Sequence, residues 1–197
     1  MRNGISSLVQ AMLGLLIRGL ACVLDLLYGA EAINLLLKFA PMQTVPIILR
    51  PRGAVVGSNV RFRSPLTIHN AGLREDGYYR NLEVGSNCYF GRELFLDLQD
   101  QVLIEDNVTI SHRVMILTHT DAGTSPLRDS SIPTSHAPVV IRAGVYIGAN
   151  VTILEGVEIG GGAVVGAGAV VIRSVPAGSV VAGVPAKAIQ AGAPVSA

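Results

Sequence analysis

Four histidines and a small set of carboxylates are the side chains of this 197-residue chain suited to moving a proton near neutral pH. An imidazole titrates at about 6.5, so it can both take up and return a proton under ordinary conditions. His119 is the conspicuous case. It stands in ILTHTD, Ile116 to Asp121, where a regular pattern stops and residues 118–138 (THTDAGTSPLRDSSIPTSHAP) run on without period, rich in Pro, Ser, Thr and Asp. Loops that leave a rigid scaffold are where reactive groups concentrate. Asp97, Asp100 and Asp121 are each able to hold the second nitrogen of such a ring, and the sequence does not rank them. Asp97 and Asp121 are also candidate substrate contacts. His136, at the far end of the loop, could fold over the same site or over that of a neighbouring copy. His112 lies inside a repeat, where an outward structural place is expected, and His69 has no motif around it.

Other chemistries fail on inspection. The glycines from Gly160 to Gly168 do not form GxGxxG in the right phase, GxxxxGK[ST] is missing, and no Cys/His spacing suits zinc. Cys22 and Cys88 make no disulfide framework, which fits a reducing compartment. Net charge is +1 with 15% charged residues, so no general basic field recruits nucleic acid.

The element that must position His119 is a repeat. From Ile141 to Ala182 the chain reads in sixes: IRAGVY, IGANVT, ILEGVE, IGGGAV, VGAGAV, VIRSVP, AGSVVA. Position one is a branched aliphatic (Ile141, Ile147, Ile153, Ile159, Val165, Val171), position five is Val or Ala, and position four is Gly144, Asn150, Gly156, Gly162 and Gly168. A period of six is neither the 3.6 of a helix nor the 2 of a plain strand. It suits a short strand and a corner, repeated, with the corner residue at positive φ. Three such sides close one triangular coil of about 18 residues, and coils stack at roughly 4.8 Å. Earlier repeats are VGSNVR at Val56, VGSNCY at Val84 and FGRELF at Phe90; the register then shifts by two residues near Leu96–Leu98 and resumes as LQDQVL, IEDNVT, ISHRVM. The stretch 64–80 is looser, a long turn or a substrate-facing excursion.

This pattern resembles the hexapeptide-repeat acyltransferases, and the run from Gly144 to the closing GVPAK (Gly183 to Lys187) looks like the C-terminal half of their sugar, polysaccharide and antibiotic O-acetyltransferases. The resemblance implies a mainly β fold, a left-handed parallel β-helix with one extruded loop, assembled as a homotrimer with acetyl-CoA lying along the coils between two subunits. It implies no metal. It makes His119 the base that activates an acceptor hydroxyl for attack on the thioester, with backbone N–H groups for the oxyanion. Carried over position by position, Tyr146 and Ala149 would lie beside the pantetheine arm, Gly166 and Ala167 would flank its amides, and Arg173 and Lys187 would meet the phosphates; Gly166 is equally explained as a fold requirement. Two departures stand out. Many relatives place the His five residues after the repeat's first aliphatic, where this chain has Asp121, while His119 is at plus three. The maltose and galactoside enzymes begin with a charged helical segment and this chain with an apolar one, which favours a polymeric or lipid-linked glycan acceptor. Rival readings are acetyl transfer to a small non-glycan acceptor such as an antibiotic or serine, a non-catalytic hexapeptide scaffold, and a carbonic-anhydrase-like metal site, for which the His spacing lacks the expected close pair.

The organisation expected is an apolar helical segment over 1–45, the coil domain over 46–188 and a mobile tail over 189–197. Between Ile5 and Ala40 the charges are Arg18, Asp25, Glu31 and Lys38, with Gly29 a point of division and Pro41 a stop. That segment suits two placements, in a membrane interface through residues 5–40 or packed on the coil. Residues 42–53, with Pro46 and Pro51, read as a linker. The expected location is the cytoplasm, at the inner face of the cell membrane.

Overall fold

The computed structural model describes residues 2–72 and 77–189, with side-chain surroundings from Val9 onward; the expected tail lies outside them apart from Ile189, as does 73–76 of the looser stretch. The repeats wind into a three-sided parallel β-helix. Its first face stacks Val55–Val56, Leu82–Val84, Val102–Ile104, Val139–Ile141 and Glu158–Ile159. The second stacks Arg61–Phe62, Tyr89–Phe90, Thr109–Ile110, Tyr146–Ile147, Val164–Val165 and Val180–Ala182. The third stacks Leu66–His69, Leu94–Asp97, Met115–Ile116, Thr152–Ile153 and Val170–Val171.

Position-one aliphatics form columns inside the prism. On the second face the column runs Phe62, Phe90, Ile110, Ile147, Val165, Val181, all buried. The side chains shrink from Phe to Val along it, and the first two rings stack with centroids 4.4 Å apart. The early coils are longer in sequence, Phe62 pairing with Phe90 and Phe90 with Ile110 where Ile147 pairs with Val165 only eighteen positions on, and the added residues lie between the third and first faces. The corner residues behave as the repeat requires: Gly144, Asn150, Gly156, Gly162 and Gly168 all have φ between 57° and 73°. Glu93 and Arg113 also stand at corners with positive φ and form an ion pair at 2.9 Å.

The two-residue shift is real. Leu96 pairs with Ile116 and Val84 with Ile104, each twenty positions apart, so two extra residues lie between the third and first faces of that coil. They lengthen the edge that carries Asp97 and Asp100.

Residues 42–53 are not a linker. They form a short helix α2 (Val45–Leu49) and a 3-10 turn (Arg50–Arg52) that cover the open N-terminal end of the prism. Pro46 sits in the first turn of α2, where a missing N–H costs nothing, so the proline that suggested a break begins a helix. The first coil has no coil beneath it, and its exposed carbonyls need donors. Arg50 supplies them, donating from Nε to Val56 O at 2.9 Å and from Nη2 to Gly57 O at 2.6 Å. Over this cap lies α1 (Arg2–Leu37), broken at Gly29, whose φ of 62° and ψ of −147° are not helical. At the other end Lys187–Ala188 turns back antiparallel on Val180–Ala182 and closes the last edge.

Candidate active site

The loop after Met115–Ile116 leaves at the corner between the third and first faces and carries structure of its own. His119–Thr120 pairs antiparallel with Ser135–His136, so its base is a two-stranded stem. His119 therefore stands directly opposite His136. Below the stem lies Asp97, at the end of its strand one coil earlier.

Asp97 is fully buried and its carboxylate is saturated. Oδ2 lies 2.5 Å from His119 Nδ1 and accepts from Thr118 N at 2.9 Å and, at 3.1 Å, from Thr118 Oγ1. Oδ1 accepts from Asn70 Nδ2 at 2.9 Å and Gln99 N at 3.3 Å. Burial alone would raise this carboxyl; the hydrogen bonds from His119, Thr118 N–H and Asn70 outweigh it and hold the group below the ordinary carboxylate value. An ionised carboxylate accepts and cannot donate, so Nδ1 of His119 carries a proton, and in the neutral ring the lone pair is on Nε2. The ring is about a quarter exposed, 24%.

Among the three aspartates left unranked by sequence, Asp97 is the one that holds His119. Its place as a candidate substrate contact is corrected by the same geometry: the side chain has no exposed surface and all its contacts are protein donors. Asp100 instead pairs with His136, Oδ2 to Nδ1 at 2.7 Å, and is held low chiefly by that hydrogen bond. Asp121 accepts from Gly123 N at 2.8 Å and Thr134 Oγ1 at 3.1 Å, which fastens the two sides of the loop together. His112 faces outward, its Nδ1 accepting from Arg92 N at 3.0 Å. Sequence reasoning missed Asn70, Thr118 and the position of His69, whose ring centroid is 6.2 Å from that of His119. The strand pairing of His69 with Asp97 places it there, and the irregular spacing of the first coil hides that pairing from the repeat.

The residues carried over for CoA separate into two groups. Tyr146, Gly166 and Lys187 lie on or just past strands of the second face, with Ala149 and Ala167 at the corner that follows it. They line one track up the prism, Gly168 N donating to Ala149 O and Gly166 N to Val181 O. Arg173 follows Val170–Val171 and so stands at the next corner, the one from which the His119 loop leaves. Within one chain the third face separates His119 from the Tyr146–Lys187 track. Gly166 has a packing explanation of its own, because a Cβ there would come within 2.9 Å of Ala182 Cβ. Among the described residues no cluster of three His, Cys, Asp or Glu side chains is arranged to hold a metal.

A prediction follows from Asp97. A carboxyl held low in the folded state contributes stability that is complete above its unfolded value, about 3.9, and is lost as pH falls through the folded one. Asp97→Asn should be less stable than wild type by about 1–3 kcal/mol at neutral pH, and the gap should close below about pH 4. Urea unfolding of both proteins across that range measures it.

The model of the bacterial transferase hexapeptide (six repeats) matches residues 138–173. No curated protein matches the chain by sequence. Among solved structures, a hexapeptide-repeat acetyltransferase of Vibrio cholerae O1 biovar eltor complexed with acetyl coenzyme A aligns with TM-score 0.68 and 23% identity over 82% of this chain and 84% of that one. A galactoside acetyltransferase in complex with coenzyme A aligns with TM-score 0.65 and 26% identity over 81% and 77%. A maltose O-acetyltransferase from Clostridium difficile 630 aligns with TM-score 0.63 and 27% identity over 81% and 82%. With a six-residue repeat that sets every inward column and corner, and with this set of neighbours, the chain is a hexapeptide-repeat protein with the left-handed parallel β-helix fold of the hexapeptide-repeat acetyltransferases.

Proposed function

We propose that this protein is an acetyl-CoA-dependent O-acetyltransferase whose acceptor is a hydroxyl of a saccharide, a polysaccharide or lipid-linked glycan precursor, and whose general base is His119. The observation that carries the reading is the buried Asp97 carboxylate 2.5 Å from His119 Nδ1. It fixes the tautomer, turns Nε2 outward and stabilises the imidazolium that forms when Nε2 takes a proton. Four further hydrogen bonds to the carboxylate, from Asn70, Gln99 and both donors of Thr118, keep it from following the proton. The acceptor oxygen loses its proton to Nε2 as it bonds to the thioester carbonyl carbon, and the C–S bond then breaks to release CoA.

The donor's fit is carried by the second-face track. Ala149, Gly166 and Ala167 leave the backbone open to an extended amide chain, Tyr146 is exposed beside them, and Lys187 brings a cation to the upper end. Arg173 supplies a second cation one corner away. Since that track and His119 lie on opposite sides of the third face, the site we propose is shared between adjacent copies of a homotrimer. The galactoside and maltose enzymes, at 26% and 27% identity, support a sugar acceptor.

Release of free CoA thiol in the presence of a panel of mono-, oligo- and lipid-linked saccharides tests the activity; turnover confined to amines or to no acceptor at all would refute the saccharide reading. Mixing tests the shared site. His119→Ala and Ala167→Trp should each be inactive, yet co-refolded at equal ratio they should recover about a quarter of wild-type turnover, the share of interfaces that join the two intact halves. No recovery from mixed trimers places base and track in the same chain.

A further inference from the structure

We propose that the outer face of α1 seats this protein on an anionic lipid bilayer, the helix lying in the plane of the interface. The proposal does not rest on acetyl transfer. It rests first on an inversion of the usual helix pattern. The side of α1 toward the cap is a narrow seam: Gly14, where a Cβ would be 3.3 Å from Ile47 Cδ1, then Ala21, whose carbonyl accepts from Arg52 Nη2 at 2.8 Å, then Asp25, 3.3 Å from Arg52 Nε. At 100° per residue, Val9, Met12, Leu13, Leu15, Leu16, Leu20, Val23, Leu26 and Leu27 fall on the opposite side, and all are exposed. Between Val9 and Gly29 the charges, Arg18 and Asp25, fall on the seam side. A face so large and so free of charge is held in water only at a cost that covering it removes.

Charge selects the occupant. Residues 1–63 contain seven Arg or Lys against Asp25 and Glu31, while the rest of the chain contains eight against twelve Asp or Glu. The end that bears the apolar face is thus basic and the remainder acidic. Arg18, Lys38, Arg61 and Arg63 are exposed there, and Arg61 shares a surface cavity with Gln10 of α1. Apolar side chains rimmed by cations match a bilayer with anionic headgroups, each cation near such a surface contributing about 1 kcal/mol. A second copy of the same basic end offers no such complement.

The helix lies flat. Val9–Leu37 is long and apolar enough to cross a membrane, but Gly14, Ala21 and Asp25 hold about 17 Å of it against the cap. Beyond Gly29 it turns down onto the coil, where Ile33 and Leu37 are buried and Asn34 Oδ1 accepts from Tyr79 Oη at 2.9 Å. Asn70, Asp97 and His119 belong to the first, second and third coils, which sets the site on the order of 10 Å above the first coil.

Flotation of the full-length chain with vesicles of phosphatidylcholine alone, or with a third of phosphatidylglycerol, tests this. The protein should float with the anionic vesicles and far less with the neutral ones. Leu16→Glu with Val23→Glu should abolish flotation while leaving the circular-dichroism melt unchanged. Arg61→Gln with Arg63→Gln should weaken binding on the order of 25-fold at low salt. The proposal falls if the wild type floats with neither vesicle, if the double-Glu variant floats as well as the wild type, or if that variant instead breaks up an assembly that never binds lipid, which would put a second copy on the face.

Discussion

His119→Ala should lower the kcat for acetyl transfer by about 10²–10⁴, the usual contribution of a positioned general base, equivalent to roughly 3–5.5 kcal/mol of barrier. The loss should fall on kcat, because Nε2 acts on a proton that moves only as the acceptor attacks. Truncation also removes one donor from the buried Asp97 carboxylate, so the variant should be less stable by about 1–3 kcal/mol. His119→Asn, which keeps an amide N–H near that carboxylate, separates the two effects: it should recover most of the stability and none of the rate. The readout is thiol release with the acceptor found in the saccharide panel, alongside thermal melts. Turnover within threefold of wild type would end the case for His119. The Asp97–His119–Asn70 cluster would then be a structural clasp that fixes the loop to the coil.

The coil was legible because its signal is covalent in spacing. A branched aliphatic every sixth residue, with Gly or Asn three places later, leaves few ways to satisfy burial and positive φ together, and Ile141 to Val171 are placed as the repeat requires. The two-residue slip after Leu96 was equally visible, since any insertion breaks the count. What the slip does was hidden. It sets Asp97 beneath Thr118 and His119 and Asp100 beside His136, pairings between residues 22 and 36 positions apart that no local pattern encodes. The stem of the loop escaped for a related reason: HT and TSH carry no strand signature, and they pair because the coil holds both ends at one corner. Asn70 was lost in the first coil, where irregular spacing conceals its register. The cap was misread through Pro46, which marks a helix start as readily as a linker and is decided by whether a surface lies beneath it.

Three of the missed contacts share a feature. The pairings of Asp97, Asp100 and Asn70 each join polar groups on different coils or elements, and each bears on the candidate site. The apolar columns build a rigid frame from local information; the carboxylates at its edge take their roles from what the frame brings opposite them. Asp97 and Asp100 are three residues apart on the same edge and hold different histidines. Their common link is Thr118, whose hydroxyl lies within hydrogen-bond reach of Asp97 and accepts from Asp100 N at 3.0 Å. A substitution at Thr118 therefore disturbs both pairs, although its hydroxyl bonds to neither ring.

Arg52→Ala should cost about 3–5 kcal/mol, the scale for removing one member of a buried ion pair, out of a total stability of roughly 5–15 kcal/mol. The guanidinium is 7% exposed and Asp25 is 16% exposed. Arg52 ties its 3-10 turn to two helices: Nη1 donates to Ile48 O of α2 at 2.9 Å, Nη2 to Ala21 O of α1 at 2.8 Å, and Nε faces Asp25 of α1 at 3.3 Å. Lys cannot reach in three directions with one ammonium, so Arg52→Lys should recover only part of the loss. Replacing both partners, Asp25→Leu with Arg52→Met, removes the stranded carboxylate as well and should be far less damaging than Arg52→Ala, a difference that a double-mutant cycle measures by urea unfolding. The coil should survive in every variant, because its columns do not touch this pair. Limited proteolysis should then cut first within α1 in Arg52→Ala, at the helix that the pair holds down. If single and double variants unfold alike, the charge pair of Arg52 with Asp25 does not hold α1 in place. If they differ as expected, one buried guanidinium is what keeps an apolar helix lying across the end of the prism with Asp25 inward and its leucines out.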